Sequence, residues 1–282
     1  MKKSAYLLLT IFILSTLAFV GFQTIFSFSS QPKLASINDN QVDLSLRCYR
    51  NDQAPSLDNE GELNILVWNI YKQNRSNWRE QLERFSNSKQ LVLLQEASMT
   101  DELVDWIGSQ GWFGSQVDAF KAFDTSAGVL NLSRSTPSKA CAYTELEPWL
   151  GLPKSALYAT YPLSNGESVA VVNIHAVNFT YGTVEYHRQL AIVTNELSKH
   201  KGPIIVAGDF NSWSEERFEV MSKELAKLGL QEVDYLPDGR TQFITGLPLD
   251  HVFYRDLVAK KAEATISDAS DHNPILVSFV LH

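Results

Sequence analysis

Cysteine is scarce in this chain: 282 residues hold only Cys48 and Cys141. Two cysteines cannot build a disulfide-dense scaffold, and their wide separation excludes a thiolate zinc site. In an oxidising compartment they would pair, and in a reducing one both would stay thiols; the residues leave both readings open. Runs of basic residues are missing as well. The net charge is −8, and beyond residue 60 there are 19 basic side chains against 27 acidic ones. Capture of a phosphate backbone ordinarily relies on clustered Lys and Arg. Lys72, Arg75, Arg79 and Lys154 are scattered, and only Lys154, placed before a strand, is expected to leave the solvated surface and reach a site. A nucleic-acid partner is therefore neither advertised nor excluded. The six histidines are dispersed, which argues against a histidine-clustered zinc hydrolase. His187, His200, His251 and His282 read as ordinary structural or surface residues. No internal repeat is visible, and a monomer is expected.

Long apolar runs are absent but for one. After Met1-Lys2-Lys3, residues 5–28 form a 24-residue apolar stretch, long enough as a helix to cross a hydrocarbon layer of about 30 Å. It lacks a convincing small-residue cleavage site, so residues 1–32 read as an uncleaved signal anchor. Lys2 and Lys3 keep the amino end cytoplasmic and place the remainder in the periplasm of a bacterial inner membrane; cytoplasmic placement is the alternative. Residues 33–60, rich in Asn, Asp, Ser and Pro, read as a linker. Residues 61–282 are enough for one sizeable core. Helical periodicity appears at 77–85, 100–108, 183–198 and 214–228, with strand-like runs between. This mixture fits two sheets with helices outside them.

The densest chemistry lies at Gly208-Asp209-Phe210-Asn211, which follows the apolar run Pro203-Ile204-Ile205-Val206-Ala207. In extended backbone, Asp209 and Asn211 face the same way. One offers a base or metal ligand, the other a neutral donor for an oxyanion. A plain turn with a helix cap is the competing reading, since Asn211, Ser212 and Ser214 all suit a cap before Glu215-Glu216. Four further places repeat the pattern of an apolar strand running into polar residues. They are Val67-Trp68-Asn69, Leu94-Gln95-Glu96, Asn173-Ile174-His175, and the late pair Leu249-Asp250-His251 and Ser270-Asp271-His272-Asn273-Pro274.

In this order and spacing, over residues 63–281, the set resembles the endonuclease/exonuclease/phosphatase superfamily, whose members include deoxyribonucleases, repair exonucleases, neutral sphingomyelinases and inositol polyphosphate 5-phosphatases. The wording WNIYKQ, LVLLQEA, VVNIHAVNF and SDHNP is closer still to the bacterial YafD-like branch. The resemblance implies an α/β fold, a four-layered α/β/β/α sandwich, here with an N-terminal transmembrane helix. It implies that Glu96 binds the metal, with Asn69 and Asp271 beside it. Asp209 would orient or deprotonate the attacking water, and Asn211 would hold a phosphate oxygen. His272 would contact the scissile phosphate with Asp250 as its carboxylate partner. His175 would stand near the leaving group, and Asn178 and Lys154 would reach a phosphate.

The implied activity is hydrolysis of a phosphodiester or phosphomonoester on a Mg²⁺-bound phosphate, with Mn²⁺ as the other candidate; these hard oxygen ligands suit such ions. The substrate class stays open among nucleic acid, phospholipid head group and small phosphate ester. A non-catalytic, membrane-tethered binding protein on the same fold is the alternative, which loss of site residues would mark; none is missing. The loop Glu147-Pro148-Trp149-Leu150-Gly151-Leu152-Pro153 has two readings: contact with a lipid, or the commoner one, Trp149 packed on its own sheet.

Overall fold

The computed structural model describes residues 2–38 and 41–282. In chain order its elements are α1 (Lys2–Ile25), β1 (Phe26–Ser27), β2 (Lys33–Asn38), β3 (Gln41–Leu46), β4 (Cys48–Arg50), β5 (Glu62–Asn69), α2 (Trp78–Ser86), β6 (Leu91–Ser98), α3 (Asp101–Ser109), β7 (Phe113–Ala122), β8 (Thr125–Ser133), β9 (Lys139–Leu146), β10 (Pro153–Pro162), β11 (Ser168–His175), α4 (Val184–Leu197), β12 (Ile204–Asp209), α5 (Glu215–Ala226), β13 (Gln231–Glu232), β14 (Asp250–Arg255), β15 (Val258–Ala264) and β16 (Ile275–Val280). One sheet runs β15-β16-β5-β6-β8-β7-β2-β3, with β1 on β7; the other runs β13-β14-β12-β11-β10-β9-β4.

The central strands are apolar along their whole length because both faces are covered. Alternation then sorts each side chain to one face or the other. Ile65, Val67, Leu91 and Leu93 from the first sheet meet Val169, Val171, Ile205 and Ala207 from the second in a core between the sheets. Their sequence neighbours point outward. Leu66, Trp68, Val92 and Leu94 pack against Leu82 and Phe85 of α2 and Leu103 and Trp106 of α3. Val172, Ile174, Ile204 and Val206 pack against Leu190 and Val193 of α4 and Met221 and Leu225 of α5. The result is helices, sheet, sheet, helices: the four-layered sandwich. Helices α3 and α5 begin at side-chain caps, the hydroxyls of Thr100 and Ser214 accepting from Leu103 N and Arg217 N, each at 3.3 Å.

Residues 33–50 are not the linker their composition suggests. β2 and β3 extend the first sheet through the β2–β7 pairing, and β4 edges the second through β9. Cys48 stands opposite Cys141 in the β4–β9 ladder, and the two are bridged. Helix α1 is apolar on every side. Over residues 8–25 its mean hydropathy is 2.0 and none of it is buried. Its 24 residues span about 36 Å at 1.5 Å each. It passes without a spacer into β1, where Phe26 and Ser27 pair with Ala122 and Lys121 of β7.

Each sheet is built around one parallel pair, β5 with β6 and β11 with β12. The second pair closes tightly at Gly208. Its φ is +138°, and a Cβ there would fall 2.0 Å from the carbonyl oxygen of Ile174 in β11. Gly208→Ala must therefore push apart the strands that carry His175 and Asp209. The expected cost is about 3 kcal/mol, combining backbone strain with a lost ladder contact. Denaturant unfolding would read it, and an unchanged midpoint would contradict the close approach.

Candidate active site

Six chain segments deliver acidic, histidine and amide side chains to one end of the sandwich. β5 ends on Asn69, β11 on His175 and β12 on Asp209. Asp250 opens β14, so His175, Asp209 and Asp250 stand side by side across three paired strands. Glu96 sits at an irregularity in β6, where the register against β8 slips between Leu94 and Ala97. Its φ is +53°, and that of Asn211 is +47°. Both lie in the left-handed region, which a non-glycine residue adopts only when its surroundings hold it there. Asp271 and His272 come from the segment between β15 and β16. Asn69, Glu96, Lys154, His175, Asn178, Asp209, Asn211, Asp271 and His272 all line one cavity of about 260 Å³. Asp250 lies behind His272.

Asp209 is 2 % exposed and sits at the centre. Its Oδ1 accepts from Asn211 N at 2.9 Å and its Oδ2 from Asn69 Nδ2 at 3.0 Å. His175 Nε2 lies 3.4 Å from Oδ2 and His272 Nε2 3.9 Å. Burial raises the Asp209 pKa, the nearby His272 cation opposes that, and the result is about 6. His272 Nδ1 donates to Asp250 Oδ2 at 2.7 Å. Burial disfavours its charged form, but Asp250 and Asp209 prevail and push its pKa up to about 10. Trp68 Nε1 donates to the His272 carbonyl at 2.9 Å and pins the backbone below the ring. The other Asp250 oxygen, Oδ1, is buried without a hydrogen-bond partner among the described residues.

Glu96 occupies a second, more cationic corner. Lys72 pairs with its Oε2, while Lys154 Nζ and His175 Nε2 lie 3.9 and 3.8 Å from Oε1. Burial works against the carboxylate, but Lys154 and Lys72 outweigh it and hold its pKa below the usual range. Lys154 Nζ donates to His175 Nε2 at 3.1 Å. Burial, then Lys154 and Lys72, keep His175 well below its ordinary pKa, so it is neutral. A neutral imidazole keeps a proton on one ring nitrogen, and Nε2 has Lys154 Nζ, Asp209 Oδ2 and Glu96 Oε1 around it.

The residues expected at a metal share the cavity without forming one tight cluster. Among the described residues, the ligand atoms that converge within 4.8 Å belong to Asp209, Asp250 and His272. There the imidazole proton already fills the gap between His272 and Asp250. Glu96 Oε1 and the Asp271 carboxylate are less engaged: Oε1 has Lys154 and His175 at 3.9 and 3.8 Å, and Asp271 Oδ1 accepts from Ser270 Oγ at 3.3 Å. The Asn69 amide is engaged at both ends, its oxygen accepting from Tyr71 N at 3.1 Å and its nitrogen donating to Asp209. The Glu96 and Asp271 carboxylates are hard oxygen donors of the kind a divalent cation takes, while the groups nearest Glu96 are Lys72, Lys154 and His175.

Several participants escaped the sequence reading. Lys72, expected on the solvated surface, reaches Glu96 through a turn in which Tyr71, Lys72 and Gln73 all have positive φ. Arg217 of α5 is 1 % exposed and clamps the loops that follow β11 and β12. Its Nη1 donates to the carbonyls of Val177 and Asn211, and its Nη2 to the carbonyl of Asn178. Trp213 Nε1 donates to Asn178 Oδ1 at 2.9 Å, which occupies that side chain. His251 does face away from the cavity, but it is fully buried and bridges Ser212 Oγ (2.8 Å) and Glu232 Oε1 (2.6 Å). Arg217 sits beside Glu215, Glu216 and Glu219 in the charged first turns of α5, so nothing local in the sequence marks it as buried.

Comparison with other proteins agrees with this architecture. A sequence model of the Endonuclease/Exonuclease/phosphatase family matches residues 66–272. A UPF0294 protein of Vibrio campbellii is 58 % identical over 264 residues, 94 % of each chain. Among solved structures, an endonuclease/exonuclease/phosphatase from Beutenbergia cavernae superposes with a TM-score of 0.63 at 18 % identity, covering 78 % of this chain and 72 % of that one. A mannosyl-6-phosphatase of Bacteroides thetaiotaomicron gives 0.60 at 16 %, covering 78 % and 100 %. The chain belongs to the Endonuclease/Exonuclease/phosphatase family, as one of its UPF0294, or YafD-like, members.

Proposed function

We propose that this protein is a membrane-anchored, divalent-metal-dependent phosphoesterase. The observation that carries the reading is the buried row His272–Asp209–Asp250. It sets a carboxylate with a raised pKa beside an imidazolium fixed by a second carboxylate. A base that titrates near 6 is ionised at neutral pH yet basic enough to take a proton from water. Asp209 is held in one orientation by Asn69 and Asn211 N, so it presents the same oxygen to an attacking water throughout. The His272 cation faces the charge that develops on the phosphoryl oxygens. Asn211 lines the same cavity; its Nδ2 donates one N–H to the Ala176 carbonyl at 2.9 Å and keeps the second for a phosphoryl oxygen. Lys154 brings a further cation, hydrogen-bonded to neutral His175, to the side where Glu96 lies.

Glu96 with Asp271 would hold the Mg²⁺ or Mn²⁺, which would polarise the phosphoryl oxygen and offset its charge. The lysines now balancing Glu96 mark a place where positive charge is favoured. The bridged Cys48–Cys141 pair supports placement of the sandwich on the oxidising side of the membrane that α1 crosses. The test is turnover of a chromogenic phosphodiester, bis(p-nitrophenyl) phosphate, with added Mg²⁺ or Mn²⁺. Glu96→Gln is expected to lose about 100-fold or more, comparable to removal of one preorganised charge-stabilising group, while unfolding at an unchanged midpoint. Full turnover after exhaustive chelation would sink the metal-dependent mechanism.

A further inference from the structure

A cluster of exposed apolar side chains stands at the mouth of this site. Trp149 is 56 % exposed and packs against Tyr181, with ring centroids 4.6 Å apart and the rings tilted by 52°. Leu150, Phe179, Phe243 and Ile244 are exposed beside them on neighbouring loops. Trp149 thus does not pack on its own sheet, the commoner expectation for it. Two mostly apolar cavities open from this rim. One, of about 320 Å³, lies among Trp149, Phe179, Trp213 and Phe243. The other, of about 220 Å³, has Glu96, Lys154 and His175 at one end and Phe120, Leu150, Leu152 and Phe179 along its walls. Apolar patches of this kind mark contacts with a partner, a ligand or a membrane.

The second cavity leads toward the anchor. Ala119 and Phe120 of β7 line it, and the same two residues line a groove whose other wall is Ser27, Phe28, Ser29 and Lys33, the first residues beyond α1. Phe26 packs edge-on against Phe120 at 5.9 Å. The Phe123 N–H donates to the carbonyl of Ile25 at 2.6 Å, which ties the end of α1 to the β7–β8 hairpin. With no spacer between α1 and the sheet, the bilayer that holds the helix lies against this flank. The catalytic cavity then opens one strand away from lipid.

We propose that the substrate is a membrane lipid phosphate ester. Its phosphate sits between Asp209, His272 and Glu96, and its acyl chains run along Phe120, Leu150 and Phe179 toward the bilayer. This rests on the phosphoesterase reading above and narrows it. Water adds its oxygen to phosphorus, one P–O ester bond breaks, and the released oxygen leaves as an alcohol carrying a proton. One water is consumed and no other co-reactant is needed. The charge balance favours lipid over nucleic acid. The sandwich carries 27 acidic and 19 basic side chains beyond residue 60, and its cavity mouth is aromatic and aliphatic rather than basic.

The experiment uses the full chain reconstituted with Mg²⁺ into vesicles of phosphatidylethanolamine and phosphatidylglycerol. Parallel assays supply bis(p-nitrophenyl) phosphate, and single- and double-stranded DNA and RNA. Cleavage of the vesicle lipid at its phosphate is the expected result. The double variant Trp149→Ser/Leu150→Ser should lower the ratio of lipid to chromogenic-ester turnover by about tenfold or more, because it strips apolar area from the lipid side only. Phe179→Ser, in a different loop, should lower the same ratio and guards against a fold defect in the first loop. Turnover of the chromogenic ester with nucleic acid cleaved and lipid intact would overturn the lipid proposal and leave the phosphoesterase reading standing. Lipid cleavage with an unchanged ratio in both variants would overturn the assigned route for the acyl chains. No turnover of any probe with either metal would overturn both readings together.

Discussion

Replacing His272 by Gln is expected to slow turnover by about 10²–10³-fold, the usual worth of a preorganised group facing developing charge. The side chain is 12 % exposed, and its Nδ1 proton is committed to Asp250 at 2.7 Å. Its free Nε2 therefore looks toward the cavity and Asp209. Asp250→Asn should be nearly as damaging for a defined reason. An amide cannot supply the negative charge that, with Asp209, holds the imidazolium up to a pKa of about 10. It would also leave a ring nitrogen without a full acceptor in a buried place. The double variant should be little worse than the worse single one, since the two act as a unit. The measurement is kcat for the two single variants and the double on any accepted ester, with a pH profile. In Asp250→Asn the alkaline limb should move down, because the charged imidazole is lost at lower pH. Independent, multiplying losses from the two positions would show that they do not work together.

What the sequence disclosed and what it hid follow from where the determinants lie. Asn69, His175 and Asp209 were legible because each ends an apolar run, and strand ends are where a sandwich exposes backbone-anchored chemistry. The four packed helices were legible through periodicity, and the starts of α3 and α5 coincide with their caps, Thr100 and Ser214. Residues 33–50 were not. Lys33-Leu34-Ala35-Ser36-Ile37-Asn38 is short and only weakly patterned, and its strand exists because β7 lies alongside. Such pairing is a tertiary fact that local propensity does not carry. Lys72 was hidden by the three positive-φ residues that turn it inward. His251 was read as ordinary because a histidine after an apolar strand is usually a satisfied structural residue. Alternation is obeyed, but the face it turns to holds Ser212 and Glu232, residues 39 and 19 positions away in the chain. That network steadies the strand from which Asp250 projects.

Asp209→Asn is expected to be the most damaging conservative change in the chain, at about 10²–10⁴-fold in kcat, the range for loss of a positioned general base. The substitution keeps the shape of the side chain. Its Oδ1 can still accept from Asn211 N, but one of the two carboxylate oxygens becomes an amide nitrogen facing Asn69 Nδ2, donor against donor. The buried Asp250 carboxylate and the His272 cation remain, so the loss isolates the proton-accepting step rather than the field around it. The pH profile separates this from simple misfolding. In the native enzyme, Asp209 must be ionised, so turnover should fall as pH drops through about 6, where burial has placed its pKa. Below that value the carboxyl is neutral and cannot accept the water's proton. In the variant the group no longer titrates, and the acid limb should flatten at the low residual rate. Unfolding should show a protein that still folds cooperatively. If Asp209→Asn kept more than about a tenth of native turnover, well outside the loss expected for a general base, the base would have to be sought elsewhere. An acid limb that persisted unchanged in the variant would assign that limb to another group, with Glu96 the first to examine.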